Sequence, residues 1–242
     1  MYLFHFHSDT GGNSLLFPGH ISTMAFTSII FDLDGTLLDT LAGLATTCNA
    51  VLAGYGFPLH RHERYRYFVG DGLTALIERI TPEGTDRHIR EECRCRFTEL
   101  YAKNWRHSCA PYAGIPEMLA ALRQHSFQLA VLSNKPHAFA SVIVEDFFPG
   151  TIFSLVYGQR DGYPKKPDPA AALEIAAQLG SNPRESVFVG DSGVDIQTGK
   201  AAGMLTVGVA WGFRGKEELL KNDADIIINT PMELLHHVVR SA

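Results

Sequence analysis

From Pro111 to its end the chain alternates short apolar runs, rich in β-branched residues, with longer stretches of helical periodicity. A short apolar run between amphipathic segments suits a strand buried on both faces, and regular strand and helix alternation favours a parallel sheet covered by helices. The spacing predicts helix 115–124, strand 127–132, helix 137–147, strand 153–157, helix 169–179 and strand 186–190. It continues with helix 193–202, strand 204–209, a short helix near 216–221, strand 225–228 and helix 231–240. Thr27 to Phe31 is a further β-branched run that stops at two carboxylates and reads as the first strand. With right-handed crossovers, these elements make an α/β fold whose core is a doubly wound, Rossmann-like parallel sheet.

The stretch between the first strand and Pro111 has a different character. Leu41, Leu44, Ala45, Cys48 and Leu52 keep helical spacing until Gly54 and Gly56 break it. Asp86 to Trp105 repeats the pattern, with Ile89, Cys93, Phe97 and Leu100 on one face and charges on the other. No buried strand is expected between Leu41 and Ser108, so residues 43–110 read as a helical insert in a core built from 25–42 and 111–242. Residues 1–24 read as a leader; Met24 is the expected start of the working protein. No Lys or Arg precedes Arg61, so the positive region of a secretory signal is missing. Farther along, Asp168 as N-cap, Pro169 at the first helical position and Gly180 past the end frame one helix and put Lys166 just outside it.

Charge and cysteine content narrow the class. A net charge of -5, from 21 Lys and Arg against 26 Asp and Glu, leaves no surplus of cations for a nucleic-acid backbone. The 4 cysteines in 242 residues are too sparse for a disulfide scaffold, so reduced thiols in a cytoplasm are expected. Cys93, Cys95, His107 and Cys109 lack zinc-site spacing and fall on helical periodicity, which favours packing. His5, His7 and His20 receive no function. No stretch approaches the roughly 20 apolar residues that cross a bilayer, so no membrane partner is expected.

Four separated segments carry the candidate chemistry. They are Phe31-Asp32-Leu33-Asp34-Gly35-Thr36, Leu132-Ser133-Asn134, Lys165-Lys166-Pro167-Asp168-Pro169 and Gly190-Asp191-Ser192-Gly193-Val194-Asp195. Each ends an expected strand or opens an expected helix, where a parallel sheet gathers its ligands. Asp32 and Asp34 can share one cavity only if something offsets their repulsion, and a divalent cation would do so. Asp191 and Asp195 raise the same question at a helix start, although helix capping accounts for Asp195 equally well. Mg²⁺ takes carboxylate oxygens and suits a site drawn from one or two Asp per segment. Ser133 and Lys166 are suited to phosphate oxygens, one by its hydroxyl and one by its charge. Singly, each also reads as a turn signal or a solvated lysine; their joint occurrence in order is what discriminates.

From Phe26 onward these segments resemble the four motifs of the haloacid dehalogenase superfamily. The resemblance implies that Asp32 is a nucleophile attacking phosphorus, that Asp34 is general acid and base, and that Ser133 and Lys166 complete the catalytic set. It implies phosphate contacts from Gly35, Thr36, Ser133, Asn134 and Lys166. It also implies a Mg²⁺ site made by Asp32, the Asp34 carbonyl and Asp191, with Asp195 supporting. Branches that cleave carbon–halogen or carbon–phosphorus bonds carry another residue where this chain has Asp34, which points to phosphate esters. The insert looks like the cap of the phosphoglycolate phosphatase-like group, and Val69-Gly70-Asp71-Gly72 resembles its substrate-facing loop, making Gly70, Asp71 and Gly72 candidate substrate contacts. The expected partner is a small phosphorylated metabolite, first of all 2-phosphoglycolate.

A sugar phosphomutase or a nucleotide or pyrophosphate hydrolase would use the same core. A silent binding module would have lost a charged motif residue, and all are present. A remoter reading comes from Gly70-Asp71-Gly72-Leu73-Thr74-Ala75, which matches a dinucleotide fingerprint with Glu91 and Glu92 about 20 residues on. The preceding Arg64-Tyr65-Arg66-Tyr67-Phe68 is too charged for the buried strand such a site requires.

Overall fold

The computed structural model describes residues 25–239. In chain order its elements are β1 (Ser28–Phe31), β2 (Leu38–Asp39), α1 (Leu41–Gly54), α2 (Tyr65–Phe68), α3 (Leu73–Ile80), α4 (Arg87–Asn104), β3 (Ala110–Pro111), α5 (Ile115–Gln124) and β4 (Gln128–Pro136). They continue with α6 (His137–Phe147), β5 (Leu155–Gln159), α7 (Ala170–Gln178), β6 (Ser186–Gly190), α8 (Gly193–Ala201), β7 (Leu205–Val209), α9 (Lys216–Lys221), β8 (Ile226–Ile228) and α10 (Glu233–Val238). The expected leader, residues 1–24, lies outside the described residues. No described helix is long and apolar enough to cross a membrane.

Six strands form one parallel sheet in the order β5-β4-β1-β6-β7-β8. The order reverses around β1, so the C-terminal ends of β4, β1 and β6 lie side by side where an open sheet of this kind leaves a crevice. Strand side chains alternate between two cores. Ile29, Phe31, Leu129, Val131, Val187 and Val189 face one way, with α5, α6 and α10 against them. Ile30, Ala130, Leu132 and Phe188 face the other, against α7. All are essentially solvent-free, and burying a side chain of this kind stabilises the fold by about 1.5–3 kcal/mol.

Helices α1 to α4 lie between β2 and β3, which pair antiparallel as Leu38↔Pro111 and Asp39↔Ala110. The two crossings between the sheet and this helical segment are thus tied together. Within the segment α1 packs on α4 through Cys48, Val51, Leu52, Cys93 and Phe97. Ile89 and Leu100, placed on the buried face by spacing, are half-buried, and Tyr101 is the more deeply buried neighbour.

Among the boundaries that differ from expectation, three stand out. β4 runs on to Pro136 instead of ending at Leu132, with an irregularity in its pairing to β5 between those residues. The strand after α6 begins at Leu155, two residues later than its apolar run, because Phe153 packs edge-on against Phe31 and Phe148 before the chain enters the sheet. Helix α7 begins at Ala170, so Pro169 is the cap residue by conformation; the Asp168 side chain still accepts the Ala170 N–H at 2.9 Å.

Candidate active site

Adjacent strand ends assemble the site. Asp32 follows β1, and its N–H donates to the Val189 carbonyl at 2.9 Å, which keeps the chain in step with β6 beyond the strand. Asp191 follows β6 directly, and Ser133, Asn134 and Lys135 lie in the extension of β4. Lys166 comes from the loop between β5 and α7. Asn134 holds that loop: its amide donates to the Lys166 carbonyl at 3.1 Å and accepts the Lys166 N–H at 2.9 Å.

The Lys166 ammonium reaches Asp32 Oδ1 at 2.8 Å and Asp195 Oδ1 at 2.6 Å. The other Asp195 oxygen accepts from the Ser192 N–H at 3.0 Å and hydroxyl at 2.7 Å, a capping box at the start of α8. Asp191 Oδ2 accepts the Phe213 N–H at 2.6 Å. Gly35 lets the chain close over that carboxylate: its φ is +91°, and a Cβ there would meet Asp191 Oδ2 at 2.5 Å.

Asp32, Asp191 and Asp195 each bring one oxygen within 4.8 Å of the others, and all three are buried. Three carboxylates facing one ammonium leave two negative charges in excess, and the protonation equilibria register it. Burial pushes Asp32 from 3.8 up to about 7, with Lys166 pulling down and Asp195 pushing up. Asp191 is raised well above its ordinary value by burial, then by Asp195 and Asp32. Lys166 is raised in turn: burial opposes its charge, but Asp195 and Asp32 outweigh that. A hard dication matches both the excess charge and the all-oxygen donor set.

Asp34 faces the same cavity with different partners. Its Oδ1 accepts from the Thr40 hydroxyl at 2.8 Å, and Lys135 Nζ lies 3.0 and 3.1 Å from its two oxygens. Burial would lower the Lys135 ammonium; Asp34 and Tyr101 outweigh it and hold its pKa above the ordinary value. The ammonium also sits 4.7 Å from the Tyr101 ring centre in α4. The cavity holds about 60 Å³ and is roofed by Val69, Gly70, Leu73, Leu76, Phe97 and Tyr101. The roof is fastened to the sheet edge by Asn134 to the Gly70 carbonyl (3.0 Å), Arg214 to the Val69 carbonyl (3.0 Å) and Lys165 to the Asp71 carbonyl (2.7 Å).

Residues 29–209 match the family model described as Haloacid dehalogenase-like hydrolase. The chain belongs to the haloacid dehalogenase-like hydrolases. Among curated members, a phosphoglycolate phosphatase of Pseudomonas putida is 31% identical over 229 residues, covering 93% of this chain and 82% of the relative. One from Pectobacterium atrosepticum is 32% identical over 215 residues, covering 87% and 92%. The crystal structure of a proposed phosphoglycolate phosphatase from Lactobacillus delbrueckii subsp. bulgaricus superposes with a TM-score of 0.85 at 30% identity, covering 90% of this chain and 100% of that one. A haloacid dehalogenase-like hydrolase of Streptococcus pneumoniae shares the fold at TM-score 0.79 and 21% identity, covering 88% and 98%.

In this haloacid dehalogenase-like hydrolase the cavity wall includes Asp32, Asp34, Ser133, Asn134, Lys166, Asp191 and Asp195 from the sequence-derived set. Gly35 and Thr36 are not on that wall. Gly35 packs on Asp191, and Thr36 is buried with its carbonyl accepting the Trp211 indole N–H at 3.0 Å. Gly70 and Gly72 border the cavity, but the Asp71 side chain pairs with Arg79 instead of facing it. The Ser133 hydroxyl accepts the Lys135 N–H at 3.2 Å. Spacing passed over Lys135, Tyr101, Phe213 and Arg214. Lys135 directly follows the Ser-Asn pair, the one local hint; the others are placed by tertiary packing alone. The dinucleotide reading is overturned, since residues 62–68 are helical and no strand leads into Gly70. The cysteines do not gather either: Cys93 is buried and Cys95 exposed, and the carboxylate triad is the metal-competent group among the described residues.

Proposed function

We propose that this phosphoric monoester hydrolase is a Mg²⁺-dependent phosphatase of a small phosphate monoester, 2-phosphoglycolate first, working through an aspartyl-phosphate at Asp32. The observation that supports the reading is the buried Asp32–Lys166–Asp195 chain beside Asp191, with a carboxylate and a fixed positive charge lining one cavity. The name shared by the curated relatives supports the substrate.

In this reading a carboxylate oxygen of Asp32 attacks phosphorus while the ester P–O bond breaks. Asp34 gives its proton to the departing alkoxide, then takes one from the water that cleaves the Asp32–phosphorus linkage. Lys166 and the Ser133 hydroxyl hold the phosphate oxygens. Asp32, Asp191 and the Asp34 carbonyl would hold Mg²⁺, which when bound offsets the repulsion between phosphate and carboxylates and stabilises transition-state charge. Both Asp195 oxygens are already committed, so its part is to position Lys166. Helices α1 to α4 would act as a cap, closing over the ester to exclude water. The free cysteines are compatible with a reducing cytoplasm.

The test is Asp32→Asn, assayed for inorganic phosphate release with Mg²⁺ and with chelator. The fold should survive and turnover fall by more than about 10⁴-fold, as loss of a covalent nucleophile does. Turnover within tenfold of wild type would contradict the mechanism.

A further inference from the structure

Three basic side chains line the cavity: Lys135, Lys166 and Arg214. Lys166 is committed to Asp32 and Asp195. Arg214 is spent on the roof, with Nη2 on the Val69 carbonyl and Nη1 at 3.8 Å from Glu218. Lys135 is different. It is only 7% exposed, and its ammonium has Asp34 as its anionic partner among the described residues, with the Tyr101 ring on another side. The surroundings are apolar, with Leu44, Phe97 and Phe139 contributing to the wall.

The proposed reaction asks Asp34 to turn its carboxyl to the leaving oxygen. When it does so, Lys135 keeps a buried charge whose partner has moved, and a buried ammonium without an anion is strongly disfavoured. An anion carried by the leaving group would fill that place, at a distance from phosphorus set by the few atoms between Asp34's target oxygen and Lys135. One ammonium beside an aromatic face matches a singly charged carboxylate better than a second phosphate, whose two charges would call for more donors. A neutral sugar or alcohol would leave Lys135 unpaired.

Building on the phosphatase reading above, we propose that Lys135 is the specificity-determining residue of this site, pairing with a carboxylate on the leaving group of the ester. Selection then works by exchange: the substrate carboxylate takes over the ammonium as Asp34 is released toward the ester oxygen. Esters lacking the carboxylate enter the same cavity but must hold Asp34 and Lys135 apart unaided.

The experiment compares kcat/KM for 2-phosphoglycolate and ethyl phosphate, which differ by that carboxylate, in wild type, Lys135→Met and Lys135→Arg. Any disturbance of Asp34 affects both esters, so their ratio isolates recognition. Wild type should prefer 2-phosphoglycolate by about 100-fold, in the range a buried charge pair discriminates. Lys135→Met should bring the ratio to near one, with KM for 2-phosphoglycolate carrying the change, and Lys135→Arg should recover part of it. If Lys135→Met does not fold, Lys135→Gln supplies the same comparison with a neutral donor left for Asp34. A neutral variant that keeps the wild-type preference overturns the assignment, as does a wild type that hydrolyses both esters equally. Mg²⁺-dependent turnover of neither ester would instead remove the 2-phosphoglycolate reading beneath it.

Discussion

Gly35 shows how closely the site's parts are fitted. With φ at +91° and only 2.5 Å between a would-be Cβ and Asp191 Oδ2, Gly35→Ala must strain the backbone or push the carboxylate aside. We expect a loss of about 1–3 kcal/mol in stability, read by chemical denaturation. A fall in activity should exceed it, because Asp191 loses its place. Unchanged stability and turnover would mean the loop does not press on Asp191 as described. At this scale legibility was uneven. Asp32, Asp34 and Asp191 could be picked out because charged residues at the ends of apolar strands have few structural uses, and Lys166 because Asp168 and Pro169 place it just outside a helix N-terminus. Lys135 and Arg214 could not, since a lysine or arginine in a loop looks the same on paper whether solvated or buried. Asn134 was legible as a site residue, yet its side chain spans two backbone segments, which only the tertiary structure reveals.

Among elements, α8 carries the most testable link between local structure and chemistry. Its capping box uses Ser192 to hold one Asp195 oxygen while the other holds Lys166. Ser192→Ala should cost about 1 kcal/mol of stability, as loss of an N-cap does. It should also lower kcat more than it raises KM, because Lys166 loses its restraint but stays in the cavity. Equal kcat in the variant would argue that Asp195 orients Lys166 without help from the cap. The helices and strands around the sheet were readable from periodicity, several to the residue, because each is buried on a definite face. The offsets have two origins: Phe153 plugs the space beside Phe31 before its chain pairs, and β4 stays extended through polar Ser133 and Asn134, where its pairing to β5 is interrupted until Pro136. Apolar pattern alone cannot separate packing before a strand from the strand itself.

For the whole molecule, the sheet order puts three strand ends at one crevice and the helical segment above it, so the charge of the site is enclosed when the roof is fastened. That enclosure has a pH signature. Asp32 is raised from 3.8 to about 7 and Asp191 is raised as well, chiefly by burial. A carboxyl whose folded pKa exceeds its unfolded value favours the fold while protonated, and that contribution is lost as pH climbs from about 4 through 7. The metal-free protein should therefore lose stability over that window, and Mg²⁺ should restore it where the carboxylates are ionised. Thermal unfolding should show a larger Tm gain from Mg²⁺ at about pH 8 than at about pH 5; equal gains would show that Asp32 and Asp191 do not hold the ion.

The central claim is that Asp32 becomes covalently phosphorylated. The most direct measurement is mass spectrometry of Asp34→Asn protein, acid-quenched during turnover of 2-phosphoglycolate with Mg²⁺. This variant should form the intermediate slowly and hydrolyse it more slowly still, since Asp34 serves both steps. The account predicts one phosphoryl group on the peptide containing Asp32, absent when chelator replaces Mg²⁺. Phosphate release with Asp32 never modified, or a phosphoryl group carried elsewhere, would contradict it.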